Sequence, residues 1–307
     1  MWLSQLKVAK IVFFGTGRFG ALVLKRLACR QQVSLVITTA GKSRISEVGG
    51  IATSMGIRTI AVGDPHKEEV LALIREVAPD YLVLADYGKI LKRKVLELAS
   101  RRLNVHPSLL PKYRGAAPIQ WAIINGDEKT GVTILDIAPK VDAGDIYAQV
   151  EVTIEPHETY GELRERLGRI GGNLLVDTIE KIDKGEVTPT PQDESMATYA
   201  PKIKDEIARI DWYKPAHTIF NLIRGLNPQP GAYTYFRGRR LKIWKALPKE
   251  SDGDATPGTV VSVKPELAIQ TGDGVLVIHE LQPEYRKVMD AIAFINGYRP
   301  QVGEVLG

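Results

Sequence analysis

Lys10-Ile-Val-Phe-Phe14 is apolar at every position after the first, too short for a buried helix and too continuous for a strand with one wet face. It reads as a strand covered on both sides, the kind found in parallel sheets flanked by helices. Gly15-Thr-Gly17-Arg-Phe-Gly20 follows at once, and 21–28 has the pattern of a helix. The rhythm repeats with strand 33–37, helix 48–55, strand 57–62, helix 67–76 and strand 81–85, which runs into Asp86-Tyr87-Gly88. Strands alternating with helices specify a doubly wound α/β sheet, in which ligands gather beyond the carboxyl ends of the strands. The three glycines have dinucleotide-binding spacing. No acidic residue closes the next strand, however: Val33-Ser-Leu-Val-Ile37 leads into Thr38-Thr-Ala-Gly-Lys42-Ser-Arg44. The glycines are therefore read as a tight turn that lets a helix approach the sheet closely.

Further on, 119–124 reads as a helix, and 131–137 and 146–154 as a strand pair around the loop Val141-Asp142-Ala-Gly-Asp145. Residues 160–185 form one long amphipathic helix or two. Thr188-Pro-Thr-Pro-Gln192 suits neither helix nor central strand, and a linker is placed at 188–206. After a short helix at 215–226 come short strands at 233–236, 241–246, 259–263, 267–271 and 275–281, separated by glycine turns. That pattern predicts a small OB-like barrel. The expected organisation is a first domain over 1–187 and a second over 207–307.

Asn104 and His106 are two apart, so on an extended strand they face the same way. Pro107 ends the ladder, and Ser108-Leu109-Leu110-Pro111 can turn beneath the pocket with free backbone N–H groups. Asp142 adds a carboxylate. An amide donor for an oxyanion, an imidazole to move a proton and a carboxylate to hold the imidazole are what acyl transfer to an amine requires. The same residues could serve structure alone: Asn104 satisfying a turn, His106 as a buried hydrogen-bonded histidine, Asp142 capping the turn at Gly144.

With 307 residues, 44% of them apolar, the chain can bury a large core without staples. Its one cysteine, Cys29, permits no disulfide within the chain, fits a reducing compartment, and is read as a packed small side chain. No apolar run reaches membrane-spanning length, and the first ten residues do not read as a secretory signal. A net charge of +5 leans mildly toward an anionic partner. No His, Cys or carboxylate spacing suggests a metal site, and His66, His157, His217 and His279 sit in structural contexts.

Asn104-Val-His106-Pro-Ser-Leu-Leu-Pro111, then Arg114-Gly-Ala-Ala-Pro118, then Asp142-Ala-Gly144 resembles the signature of the folate-dependent formyltransferases. Branches acting on glycinamide ribonucleotide, on formyltetrahydrofolate itself and on amino-sugar nucleotides share that signature. Arg114 to Gln120, Tyr199-Ala-Pro-Lys-Ile203, Ala208-Arg-Ile-Asp-Trp212 and the C-terminal strands make nearly the whole chain similar to the branch that acts on methionyl initiator tRNA. The resemblance implies a Rossmann-like formyltransferase domain followed by an OB-like domain. It implies transfer of the formyl group of 10-formyltetrahydrofolate to the methionyl amino group, without metal, by a monomer in the cytoplasm.

By the same resemblance Asn104 donates to the formyl oxygen, His106 passes a proton to the departing folate nitrogen, and Asp142 holds His106 or an ordered water. Ser108, Leu109, Leu110 and Pro111 would lie beside the folate, with Asp86, Tyr87, Gly88, Pro139, Lys140 and Val141 closing the pterin pocket. Arg237, Arg239, Arg240, Lys242 and Lys245 on a C-terminal hairpin would follow the tRNA backbone. Lys42 and Arg44 lie where the family has a longer basic loop. An amino-sugar nucleotide acceptor stays open at this point. So does an RNA-binding module with a disabled catalytic fold, against which the intact Asn104, His106 and Asp142 speak.

Overall fold

The computed structural model describes residues 9–40 and 45–307. Lys42, Arg44 and the first eight of the ten residues that bear on a secretory signal lie outside the described residues. Contacts divide the chain into two compact units. The first comprises Met1–Pro118, Lys129–Thr153 and Arg164–Ala200, and the second Ile119–Glu128, Ile154–Leu163 and Pro201–Gly307.

In chain order the elements are β1 (Lys10–Gly15), α1 (Arg18–Ala28), β2 (Gln32–Thr39), α2 (Glu47–Ser54), β3 (Thr59–Val62), α3 (Glu68–Val77), β4 (Tyr81–Ala85), α4 (Arg93–Leu96), β5 (Arg101–His106), β6 (Arg114–Gly115), α5 (Pro118–Ile124), β7 (Lys129–Asp136), β8 (Ile146–Thr153), α6 (Tyr160–Lys184) and β9 (Tyr199–Ala200). Seven strands form one sheet in the order β3-β2-β1-β4-β5-β7-β8. It is parallel from β3 through β5, while β7 and β8 run antiparallel. The strand order reverses between β1 and β4, the doubly wound arrangement expected. Val12 and Phe14 of β1 join Val70, Ile74 and Val95 in one core cluster. On the other face Gly171 of α6 lies against Val105 and Val132 of the sheet. The long helix is a single element of 25 residues.

The glycine turn does what its sequence implied. A Cβ on Gly20 would stand 2.4 Å from the Ala85 carbonyl oxygen, so α1 sits against the end of β4 only because the residue is glycine. Gly17 caps α1 without a side chain. Asp86 supplies what is missing: its carbonyl accepts the Thr16 N–H at 2.9 Å, and its carboxylate accepts the Gly20 N–H. The helix terminus where a dinucleotide phosphate would sit is thus taken by a protein carboxylate. Cys29 departs from expectation. It is exposed, because α1 ends at Ala28 and the buried stripe ends at Leu27.

The second unit continues with α7 (Asp205–Ala208), α8 (Ala216–Gly225), β10 (Ala232–Phe236), β11 (Arg239–Lys249), β12 (Val260–Ser262), β13 (Leu267–Gln270), β14 (Val275–Pro283), β15 (Met289–Asp290) and α9 (Ala291–Tyr298). The strands form a curled antiparallel sheet in the order β10-β11-β14-β13-β12, with β15 paired to β14. Its core joins Trp212, Phe220, Tyr233, Leu276 and Phe294. Helix α9 was not anticipated. Its signal is Asp290, whose side chain accepts the Ala293 N–H as an N-cap.

Two substitutions separate close packing from backbone freedom. Gly20→Ala should lower stability in denaturant by about 1–3 kcal/mol, the range for overpacking. Gly50→Ala, in α2 with nothing within 4 Å of the added carbon, should raise it by about 0.5–1 kcal/mol.

Candidate active site

Asn104 and His106 occupy β5, level with Leu135 and Thr133 of β7, so the ladder fixes the strand that carries them. Asp142 comes from the turn between β7 and β8, with a left-handed backbone at φ 51. Gly144 makes this turn possible. A Cβ there would lie 1.8 Å from the Asp136 carbonyl oxygen, and no side chain fits. The Asp142 side chain is only 10% exposed and the His106 side chain 6%.

Three groups from two segments surround this carboxylate. Asn104 Nδ2 donates to Asp142 Oδ1 at 3.0 Å, and the Gly115 N–H donates to Oδ2 at 2.9 Å. His106 Nδ1 stands 3.6 Å from the same Oδ2, within ion-pair reach but beyond a hydrogen bond. His106 Nε2 lies 2.9 Å from the Tyr113 carbonyl. A carbonyl only accepts, so Nε2 carries hydrogen. Asp142 is expected to hold His106 or an ordered water; its carboxylate faces His106 at ion-pair distance and takes its hydrogen bonds from Asn104 and Gly115, while the imidazole N–H goes to the Tyr113 carbonyl. Tyr113 is itself left-handed at φ 63, as is Asp86 at φ 53. Left-handed residues other than glycine store strain and persist where their surroundings over-determine them.

The Ser-Leu-Leu-Pro turn differs in part from expectation, because two of its N–H groups, those of Ser108 and Leu110, are taken. Ser108 N donates to the His106 carbonyl at 3.0 Å and Lys112 N to the Leu109 carbonyl at 3.1 Å. Leu110 N donates to Thr133 Oγ1 at 3.2 Å and Tyr113 N to Thr198 Oγ1 at 2.9 Å. Ser108 is fully buried and gives its hydroxyl to the Lys112 carbonyl. Leu109 packs over Gly131, and the Pro111 carbonyl accepts the Thr198 N–H.

Tyr87 belongs to the core, its ring edge-on to Phe14 at 5.4 Å, and burial pushes its hydroxyl up to about 12. Gly88 is left-handed at φ 70. Pro139, Lys140 and Val141 form an exposed rim. Lys140 Nζ reaches Glu194 Oε2 at 2.5 Å. Glu194 also takes Arg114 Nη2 at 2.7 Å, and these two cations hold its carboxyl down to about 2. Arg114, Gln192, Glu194 and Thr198 went unassigned in the sequence reading. An arginine among Gly-Ala-Ala-Pro was a signal for a buried ion partner; Gln192 offered none. Among the described residues no group of three or more His, Cys, Asp or Glu is placed to hold a metal.

The basic hairpin of β10 and β11 is divided. Arg237 pairs with Glu304 at 2.8 Å and donates to the Tyr298 and Arg299 carbonyls. Arg240 pairs with Asp205 at 2.6 Å over the Tyr233 ring, and Lys242 donates to the Pro230 carbonyl at 2.8 Å. Arg239 and Lys245 are exposed and have no such partner among the described residues. Arg239 borders a cleft of about 640 Å³ that Arg286 and Tyr298 also line.

Asp86 yields a test of the local electrostatics. The residue is exposed, but its carboxyl is tucked where a Gly17 side chain would stand. Desolvation raises it to about 6, against the pull of Arg164 and the Gly20 N–H. A raised carboxyl binds more protons folded than unfolded, so its contribution is favourable at low pH and is lost as pH climbs from the ordinary range through about 6. Asp86→Asn should therefore raise the Tm at pH 7.5, and the gain should vanish near pH 4 by calorimetry.

Comparison with known proteins agrees with this architecture. The formyl transferase family model matches residues 9–179, and the formyl transferase C-terminal domain model matches 202–299. The methionyl-tRNA formyltransferase of Moorella thermoacetica is 41% identical, covering 97% of this chain and 99% of its own. That of Carboxydothermus hydrogenoformans is 42% identical, covering 96% and 98%. Among solved structures, HypX from Aquifex aeolicus in complex with tetrahydrofolic acid superposes with a TM-score of 0.66 at 21% identity, over 97% of this chain and 49% of that longer one. An N-formyltransferase from Helicobacter canadensis gives 0.64 at 19%, over 88% and 98%. These two likenesses establish the fold. The two domain models and the near-full-length identities establish that the chain belongs to the formyl transferase family, among the methionyl-tRNA formyltransferases.

Proposed function

We propose that the chain transfers the formyl group of 10-formyltetrahydrofolate to the amino group of methionyl initiator tRNA, giving N-formylmethionyl-tRNA for translation initiation. The observation that carries the chemistry is the Asp142 carboxylate joining an asparagine amide and an imidazole in one cluster. The Asn104 amide has two N–H bonds. One goes to Asp142 and fixes the amide plane; the other meets the formyl oxygen as it takes on charge. A preorganised donor of this kind is worth roughly 3 kcal/mol of barrier.

The methionyl amine is the nucleophile, so no covalent enzyme intermediate forms. Its nitrogen bonds to the formyl carbon, and the bond from that carbon to the folate nitrogen then breaks. With Nε2–H held by Tyr113, His106 Nδ1 is the atom that takes the proton from the amine and returns it to the departing folate nitrogen. Asp142 steadies the imidazolium formed between these steps. Leu109 and Pro111 with the exposed Asp86 and Gly88 line the folate pocket, the buried Ser108 and Tyr87 support it from beneath, and Pro139, Lys140 and Val141 stand at its rim.

The acceptor assignment rests on identity of 41% along almost the full chain. In this division of labour the first unit, which runs on through Ala200 and so takes in much of the expected linker at 188–206, carries catalysis, and the second carries most of the tRNA binding. Arg239, Lys245 and Arg286 supply the backbone contacts, together with Lys42 and Arg44. The enzyme works in the cytoplasm as a monomer. The unpaired Cys29 supports that compartment, and among the described residues no helix is long and apolar enough to cross a membrane.

A formyl-transfer assay offering methionyl initiator tRNA and, separately, an amino-sugar nucleotide tests the reading. Transfer to the tRNA alone is expected; transfer to the sugar alone, or release of formate, contradicts it. On the RNA side, Arg239→Gln with Lys245→Gln should lower the slope of log affinity against log salt by about one per contact removed. Arg237→Gln should leave that slope unchanged and lower the Tm, since its charge is spent on Glu304.

A further inference from the structure

Gln192 lies in the stretch that reads as a linker, yet two arms of the site meet on it. Its carboxamide is used at both ends. Nε2 donates to the Asp142 carbonyl at 2.9 Å and to the Gly144 carbonyl at 2.7 Å. Oε1 accepts from Arg114 Nε at 3.1 Å and Nη2 at 2.7 Å. Arg114 precedes Gly115, whose N–H binds Asp142 Oδ2. The bonds close a ring, from the Asp142 carboxylate to Gly115 and Arg114, across Gln192, and back to the Asp142 main chain. Gln192 is anchored in turn by Thr190, paired with Ile146 through bonds of 2.8 and 2.9 Å. Arg114 is held by Glu194 as well, its side chain 0% exposed.

This ring explains how Asp142 keeps a left-handed backbone. Its carbonyl and that of Gly144 must point the same way to share one N–H₂ group, which fixes the turn and with it the direction of the carboxylate. We propose that Gln192 is a positioning residue for formyl transfer: through the Asp142 turn it sets the carboxylate that aims the Asn104 amide and faces His106. The proposal rests on the reading of Asn104, His106 and Asp142 as the catalytic set.

The chemistry allows a clean dissection, because a carboxamide alone can accept at one end and donate at the other. Glutamate keeps the shape and still accepts from Arg114, but it turns an acceptor toward the two carbonyls. Methionine keeps the length and offers neither group. If Gln192 only braced the fold through Arg114, glutamate would serve as well as glutamine.

The test measures Tm, kcat and KM for both substrates in wild type, Gln192→Glu, Gln192→Met and Asp142→Asn. Misplacement of a reacting group by 1 Å costs about a hundredfold in rate. We expect Gln192→Glu to keep a near-native Tm and KM values within roughly threefold while kcat falls about tenfold or more, with Gln192→Met at least as slow. A Gln192→Glu enzyme with kcat within about twofold of wild type overturns the proposal, as does a change confined to KM. Asp142→Asn distinguishes the two levels: if it turns over normally, the catalytic reading fails; if it is inactive while Gln192→Glu is not, only the role of Gln192 falls.

Discussion

The Asp142 carboxylate is the point on which the site depends. It is nearly buried, and a charge there is tolerable only if its lone pairs are met. Asn104 and the Gly115 N–H meet them, one from the strand that carries His106 and one from the turn that follows. Because a single carboxylate takes both, the Asn104 amide and the turn after β5 are not independent parts. Their relative geometry is set by one group, whose own position is set by Gly144 against the end of β7 and by Gln192 from behind. Removing the carboxylate would take from the Asn104 amide and the Gly115 N–H the one acceptor they share.

The sheet makes the same economy at the neighbouring strand ends. Asp86 caps α1 from β4, so the switch point of the doubly wound sheet is filled by the protein itself. The proposed catalytic residues lie instead on β5 and in the turn after β7, where the sheet changes from parallel to antiparallel. That change brings the turn after β7 back beside β5, which a purely parallel sheet with its long crossovers would not do.

Much of this was legible in the sequence, and the limits have physical causes. Strand alternation placed Asn104 and His106 on one face, and the apolar runs at 10–14 and 81–85 marked β1 and β4. The glycine turn was read as packing and proved to be packing. Three features escaped. The partner of the Asp142 carboxylate depended on which acceptor took the imidazole N–H, and Tyr113 offers a carbonyl that any residue would offer. The filled donors of the Ser-Leu-Leu-Pro turn depended on Thr133 and Thr198, which are remote in sequence. The basic hairpin could not be divided without knowing that Glu304 and Asp205 lie against Arg237 and Arg240. Charge counted along a chain overstates a binding surface whenever tertiary partners neutralise part of it.

A double-mutant cycle on kcat tests the central claim most directly, with Asn104→Ala, Asp142→Ala and the pair measured under saturating substrates. If the carboxylate and the amide act as one unit, each single substitution costs about as much as both together. Rate losses that multiply, so that the double variant is slower by the product of the two single effects, would show that Asn104 and Asp142 contribute separately and would contradict the account.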